Sequence, residues 1–216
     1  MDGAARARRW AAWTLLFTVS LAPLHGCTLI QGALIVMKGQ DVSAEYSGLK
    51  DKTVAVVCRP KDTLQYSSAG AAREISRRVS ELIGDNVWKV KMVDQRKIAE
   101  GTDENSWEDY AELGKALDAD YGVGIDLHQI SLREGTTLMQ GKADIHVEVY
   151  DVATGESDWR KDLPSTRFPT TPMSSMEKTE PAFRKQFVEV LSQQIARHFY
   201  THDAYIDFAN DPTVME

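Results

Sequence analysis

Two cysteines in 216 residues are too few for a disulfide framework or a four-cysteine zinc site. Basic residues are outnumbered, 25 Lys+Arg against 32 Asp+Glu. The resulting charge of −7 argues against a sequence-independent nucleic-acid binder, which needs basic surface to displace counterions from phosphates. Phosphate cradles are missing too. Gly122 and Gly124 have no third glycine and no Lys-Ser/Thr behind them, so neither the dinucleotide nor the P-loop pattern is met. Two such glycines in a strand instead permit close packing or a bulge. No Gly-x-Ser-x-Gly elbow, no His-Glu-x-x-His helix, no internal repeat and no low-complexity run occurs. What is present is globular: 43% hydrophobic and 26% charged residues exclude wholesale disorder, and the length fits one or at most two domains.

The first nine residues carry Arg6, Arg8 and Arg9 against Asp2, and an uncharged apolar stretch follows over residues 10–24. A positive n-region, an apolar h-region and a small-residue cleavage site make a secretory signal. The run Leu24-His25-Gly26-Cys27 resembles the bacterial lipobox, where cleavage before the cysteine precedes its acylation. Leu24 and Gly26 match that box, and His25 departs from it. Ordinary secretion and an uncleaved anchor over residues 10–37 are the competing arrangements. Pro23, His25, Gly26, Gln31 and Gly32 interrupt such an anchor. In the lipoprotein reading, residues 1–26 are the signal peptide, and 27–52 are the lipidated Cys27 with a polar tether. Residues 53–200 form a single α/β domain and 201–216 an acidic flexible tail. Cleavage leaves 22 Lys+Arg against 31 Asp+Glu, a charge of −9, so the body stands off anionic headgroups. Thr28 after the acylated cysteine points, by analogy with envelope lipoproteins, to the outer membrane facing the periplasm.

The mature chain reads as a mixed α/β (α+β) domain. Residues 53–58 are a short β-branched run, suited to a strand buried on both faces. Residues 67–84 carry Ala72, Ile75, Val79, Leu82 and Ile83 at helical spacing, with Ser67 or Ser68 as a start and Gly84 as a stop. A strand over 87–93, a short helix over 95–100 capped by Asp94, and a helix over 106–117 opened by Ser106 follow. A β-meander comes next. Its strands lie over 121–132, 141–151 and 157–163, with a loop around 134–140 and a turn over 151–156. Pro164, Pro169 and Pro172 mark a loop, and a last helix over 180–200 places Phe183, Phe187, Leu191, Ile195 and Phe199 at four-residue steps. The expected architecture is a sheet of about five strands, helices mainly on one face, then the meander and final helix.

The order of pieces over residues 50–163 carries a resemblance. The strand Val54-Ala55-Val56-Val57, the strand end Val93-Asp94-Gln95-Arg96, the helix Leu113-Gly114-Lys115-Ala116-Leu117 and the run Asp118-Ala119-Asp120-Tyr121-Gly122-Val123-Gly124 lead to Val149-Tyr150-Asp151-Val152-Ala153-Thr154-Gly155-Glu156. This resembles the small α/β domain of lipoprotein activators of penicillin-binding proteins (the LpoB type), of curli-secretion-type lipoproteins, and of the N-terminal domain of the Tol–Pal propeller protein. The resemblance implies a cell-envelope protein with a protein partner, and leaves the task open because one fold hosts many.

Chemistry-bearing residues gather on the meander. Ala143, Ile145, Val147 and Val149 alternate with Asp144, His146, Glu148 and Tyr150, one face apolar and one wet. Keeping the apolar sets of both strands together pairs even with even, so Asp126 and His128 come opposite or diagonal to Asp144, His146 and Glu148. Those five residues are the candidate partner-docking face. A metal site there and a plain solvated surface are the other readings, and a flat open face disfavours the metal. Cys58 ends an apolar strand before Arg59 and Lys61, and reads as a buried structural thiol ahead of a reactive one. His198 and His202 near the last helix's end suit its negative dipole end. No nucleophile–base pair emerges, and no cofactor is implied. The chain is therefore read as a non-catalytic accessory module, held to the bilayer through acylated Cys27, that docks onto another envelope protein. A subunit of an oligomeric export assembly is the alternative, and an enzyme the weakest reading.

Overall fold

The computed structural model describes residues 41–61, 65–104, 110–174, 176 and 178–203. Cys27, the signal segment, the tail beyond Asp203 and the capping Ser106 lie outside the described residues, as do the side chains of Ser67 and Ser68. Among the described residues no helix is long and apolar enough to cross a membrane.

In the main sheet the strand β1 (Thr53–Pro60) is buried on both faces: Val54 and Val56 are 0% exposed, Ala55 1% and Val57 7%. It is followed by α1 (Gln65–Asn86), β2 (Lys91–Met92), α2 (Gln95–Glu104) and α3 (Tyr110–Ala116). Then come β3 (Tyr121–Glu134), β4 (Leu138–Asp151), β5 (Ser157–Ser174) and α4 (Glu180–Ala196), which runs into a 3-10 turn over Arg197–Phe199. The five strands form one mixed sheet in the order β2-β1-β3-β4-β5. β1 is parallel to β2 and β3, and β3, β4 and β5 form an antiparallel meander.

One face carries the main core. Ile75, Val79 and Ile83 of α1 and Phe183, Phe187, Leu191 and Ile195 of α4 pack against Val54, Val56, Val123, Ile125, Ile145 and Val147. Spacings of three and four residues line up the apolar stripe of each helix, so burial of that stripe fixes both helices on the sheet. Arg78 of α1 ties the pair to α4 with a two-pronged contact to Glu189, each prong 2.7 Å. A smaller layer covers the opposite face. Val93, Ile98, Tyr110, Leu113 and Ala119 enclose Ala55 and Val57 there, with Tyr150 packed against them. The shorter helices α2 and α3 thus take the side that alternation alone presents as wet.

Several features depart from the sequence expectation. Gly84 lies inside α1, which continues to Asn86. The strand expected over residues 87–93 shrinks to Lys91–Met92. The segment expected as a proline loop is strand, because β5 runs to Ser174. β5 is the edge of the sheet, where a proline's missing N–H costs no ladder bond. Register shifts between Met139 and Gly141 and between Ala143 and Ile145 absorb the irregularity. Finally, part of the expected tether belongs to the domain. Leu49 is 1% exposed in the main core, Tyr46 N–H donates to the His198 carbonyl at 3.0 Å, and Glu45 pairs with Lys161 at 3.0 Å.

Candidate functional site

The meander places its polar residues in a row that crosses four strands. Cross-strand pairing sets Arg59 beside Asp126, Asp126 beside His146, and His146 beside Asp162. The next row, one strand repeat away, sets Glu148 beside Arg160. Even positions pair with even as far as Leu127, so the expected register holds there. It then slips. A shift between Leu127 and Gln129 leaves His128 at a bulge, exposed, and pairs Asp144 with Gln129. The structure therefore brings Asp126, His146 and Glu148 together and sets His128 and Asp144 apart from them.

Each member of the row has a fixed partner. Tyr110 Oη donates to Asp126 Oδ1 at 2.7 Å, and Arg59 Nε donates to the same oxygen at 3.1 Å while its guanidinium stands over the Tyr110 ring. His146 Nδ1 lies 2.6 Å from Asp162 Oδ1, and its Nε2 lies 3.5 Å from Glu148 Oε2. Tyr150 Oη donates to Glu148 Oε2 at 2.6 Å. Asp144 instead accepts the Ser165 amide at 2.5 Å. Ser165 has φ of 53°, so this contact holds an unusual backbone position in β5.

Electrostatics follow from these contacts. The hydrogen bond to Asp162, with Glu148 alongside, lifts the His146 pKa above its ordinary value against the opposing effect of partial burial. Burial of Glu148 works against its charge, but the neighbouring hydroxyls, His146 and Arg160 outweigh that and lower its pKa. Burial and the adjacent Asp126 push the Tyr110 hydroxyl up, so it keeps its proton and donates. The Glu148 side chain is only 15% exposed and His146 25%, so the expected wet face is half-buried. Cys58 is partly buried against the main core, and burial pushes its thiol well above the ordinary range. A thiol held protonated is a weak nucleophile.

The sequence named Asp126, His146 and Glu148 but missed Arg59, Tyr110, Arg160 and Asp162. Arg59 follows from the parallel pairing of β1 with β3. Helical spacing over 106–117 puts Tyr110 on the buried face, and it is 4% exposed, but nothing local aims its hydroxyl at Asp126. His198 also differs from expectation. It is 7% exposed, its Nδ1 is 3.2 Å from Glu45 Oε1, and its buried Nε2 has no hydrogen-bond partner. Burial lowers its pKa against the opposing pull of Glu45, which disfavours the charged form that the helix end would favour. Among the described residues no group of three or more His, Cys, Asp or Glu side chains is placed to hold a metal ion.

No protein-family model matches this chain, and no curated protein matches it. Similar folds occur among solved structures. The PelC dodecamer from Paraburkholderia phytofirmans is 14% identical, with a TM-score of 0.39 over 70% of this chain and 93% of that one. The LpoB C-terminal domain from Salmonella enterica is 13% identical, with a TM-score of 0.37 over 54% and 84%. Lipoprotein GNA1162 from Neisseria meningitidis is 12% identical, with a TM-score of 0.40 over 67% and 97%. The LpoB type named from residues 50–163 is thus among the folds this chain is similar to. At these identities the likeness is one of fold alone.

Proposed function

We propose that this chain is a lipid-anchored cell-envelope protein whose α/β domain is a non-catalytic docking module for another envelope protein. The observation that carries the reading is in the sequence: an export signal ending in Leu24-His25-Gly26-Cys27. Acyl chains on Cys27 hold the protein at the bilayer, since one chain binds only marginally and two bind stably. The docking surface centres on Asp126, His146 and Glu148, with His128 and Asp144 of the expected face at its margin. Its charged groups are already positioned by Tyr110, Tyr150, Arg59 and Asp162, which supports recognition because pre-ordered side chains lose little entropy on binding. The high thiol pKa of Cys58 supports a non-catalytic role.

Two experiments test this. Metabolic labelling with a fatty acid should mark the wild-type chain and leave Cys27→Ala unlabelled and released from membranes. Cys27→Ala that stays membrane-bound would instead establish an uncleaved anchor over residues 10–37. Crosslinking in intact envelopes should recover a second envelope protein, and His146→Ala with Glu148→Ala should reduce that recovery. Recovery of this chain alone would replace the accessory reading with a self-assembling ring.

A further inference from the structure

Among the described residues Trp88 is the one Trp, Tyr or Phe that is exposed, at 58%. Its neighbours in the chain do the opposite, since Val87 and Val90 pack against the main core and leave the indole outside. Two lysines gather on that ring: the Lys89 ammonium lies 4.0 Å from its centroid and the Lys50 ammonium 4.5 Å. Lys52 stands over the Tyr121 ring at 5.6 Å, and Lys91 opens β2. Lys50, Lys89 and Lys91 are exposed and Lys52 is half-buried.

The two turns that carry these groups are fastened to each other. Asp51 N–H donates to the Trp88 carbonyl at 3.4 Å, and Lys91 N–H donates to the Lys52 carbonyl at 2.8 Å. Leu49, 1% exposed, roots the first turn in the main core. Asp51 and Lys89 have φ of 60° and 55°, a left-handed backbone that residues other than glycine seldom adopt. Four lysines thus meet on one fixed surface, with Asp51 and Asp85 in the same two turns. Asp118 and Asp120 precede β3, and Asp120 accepts the Thr53 amide at 2.7 Å. An exposed indole flanked by ammonium groups suits the headgroup layer of a membrane. The indole is apolar with one polar N–H, and each lysine has an apolar stem with a charged tip.

We infer that Trp88 with Lys50, Lys52, Lys89 and Lys91 forms a contact patch for an anionic lipid bilayer. Trp88 seats at the headgroup level and the lysines meet the lipid phosphates. This contact rests on the anchor reading, in which acylated Cys27 holds the chain at a membrane. Fourteen residue steps separate Cys27 from Asp41 and span at most about 50 Å, so the bilayer is within reach of the patch. The net charge of −9 after cleavage predicts a body that stands off. Screening confines that repulsion to about 8 Å at physiological ionic strength, so the nearest lysines decide which side makes contact. Lys52 lies just before the start of β1, and Arg59 is about 23 Å further along that strand. Contact through the patch therefore leaves the row of Arg59, Asp126 and His146 clear of the lipid and open to a protein partner.

The test uses the chain extracted from its own membranes and added to two kinds of vesicle, each with bromine on the lipid chains near the headgroup. One kind is phosphatidylcholine alone, and the other is two parts phosphatidylcholine to one part phosphatidylglycerol. Trp88 emission is read as the difference between the wild type and Trp88→Phe. It should be quenched in the anionic vesicles and not in phosphatidylcholine alone. Lys50→Gln and Lys89→Gln should each lower the ratio of contacting to free Trp88 about fivefold, the share of one lysine near an anionic surface. Lys89→Asn, which tolerates a left-handed backbone, serves if the glutamine variant misfolds. Flotation with phosphatidylcholine vesicles reads the anchor separately. A chain that floats there while Trp88 stays unquenched in anionic vesicles overturns the patch and leaves the anchor standing. A chain that floats only with anionic vesicles, with Trp88 quenched, overturns the anchor and keeps the patch. Failure of both overturns both. Equal quenching in the two kinds of vesicle, or quenching unchanged in the lysine variants, also overturns the patch. A photocrosslinker at position 88 in intact envelopes should label lipid, and a protein adduct in its place would make this surface a protein interface instead.

Discussion

Replacing Gly124 with alanine tests whether Tyr110 covers the second sheet face. A Cβ at Gly124 would stand 2.4 Å from two ring carbons of Tyr110 and 2.7 Å from a third. Carbon atoms rest at about 3.5–4.0 Å, so the ring must retreat by roughly 1 Å. It has little room to do so, being 4% exposed, bonded to Asp126 at 2.7 Å and packed on Tyr150 with ring centroids 5.8 Å apart. Overpacking of this kind costs about 1–3 kcal/mol. On an open face the sign would be opposite, because Gly→Ala where space allows stabilises by about 0.4–1 kcal/mol through the unfolded chain. Urea unfolding should therefore show a lower midpoint for Gly124→Ala at unchanged slope. In a Tyr110→Ala background, itself costly by roughly 3–5 kcal/mol, the same change should become neutral or favourable. The two substitutions should thus couple by at least about 1 kcal/mol. A Gly124→Ala protein as stable as the wild type would refute the placement of α3 on this face.

Leu49→Ala should lower stability by about 2–5 kcal/mol, since Leu49 is 1% exposed in the main core. A loss below about 0.5 kcal/mol would return residues 45–52 to the tether. Val147→Asp puts an unpaired charge at a position 0% exposed and should cost at least about 3 kcal/mol in thermal melting, whereas His146→Ala, partly exposed, should cost less than about 1 kcal/mol. Equal losses in the two would invert the face assignment. Two histidines should shape the pH profile with opposite signs. Burial lowers His198, so the unfolded chain binds its proton more readily and stability should fall as pH drops below about 6.5. Asp162 raises His146, so its contribution is full below about 6.5 and is lost as pH rises through its higher native pKa. Melting curves from about pH 5 to 8 should show His198→Gln flattening the acid side and His146→Gln the neutral side; the reverse assignment would overturn both placements.

The sequence by itself determined what repeats locally. Alternation over 143–149 puts Ala143, Ile145, Val147 and Val149 in the core, at 3% exposure or less. Four-residue steps do the same for Phe183, Phe187, Leu191, Ile195 and Phe199. Matching the apolar sets of β3 and β4 also gave the Asp126–His146 pair, because a one-residue slip would turn every side chain to the wrong face. The close packing anticipated at Gly122 and Gly124 is visible as well, in the Tyr110 atoms that press on both. Tertiary structure alone decided the rest. Which helix covers the even positions depends on contacts distant in sequence, so Tyr110 could not be assigned to Asp126 from spacing. The fate of Pro169 and Pro172 depends on β5 being an edge strand, a property of the sheet order and not of residues 164–174. The bulge at His128 and the place of Leu49 in the main core likewise depend on residues distant in sequence. Local periodicity is written in side-chain order, whereas layer choice, edge position and register slips are settled by the chain closing on itself.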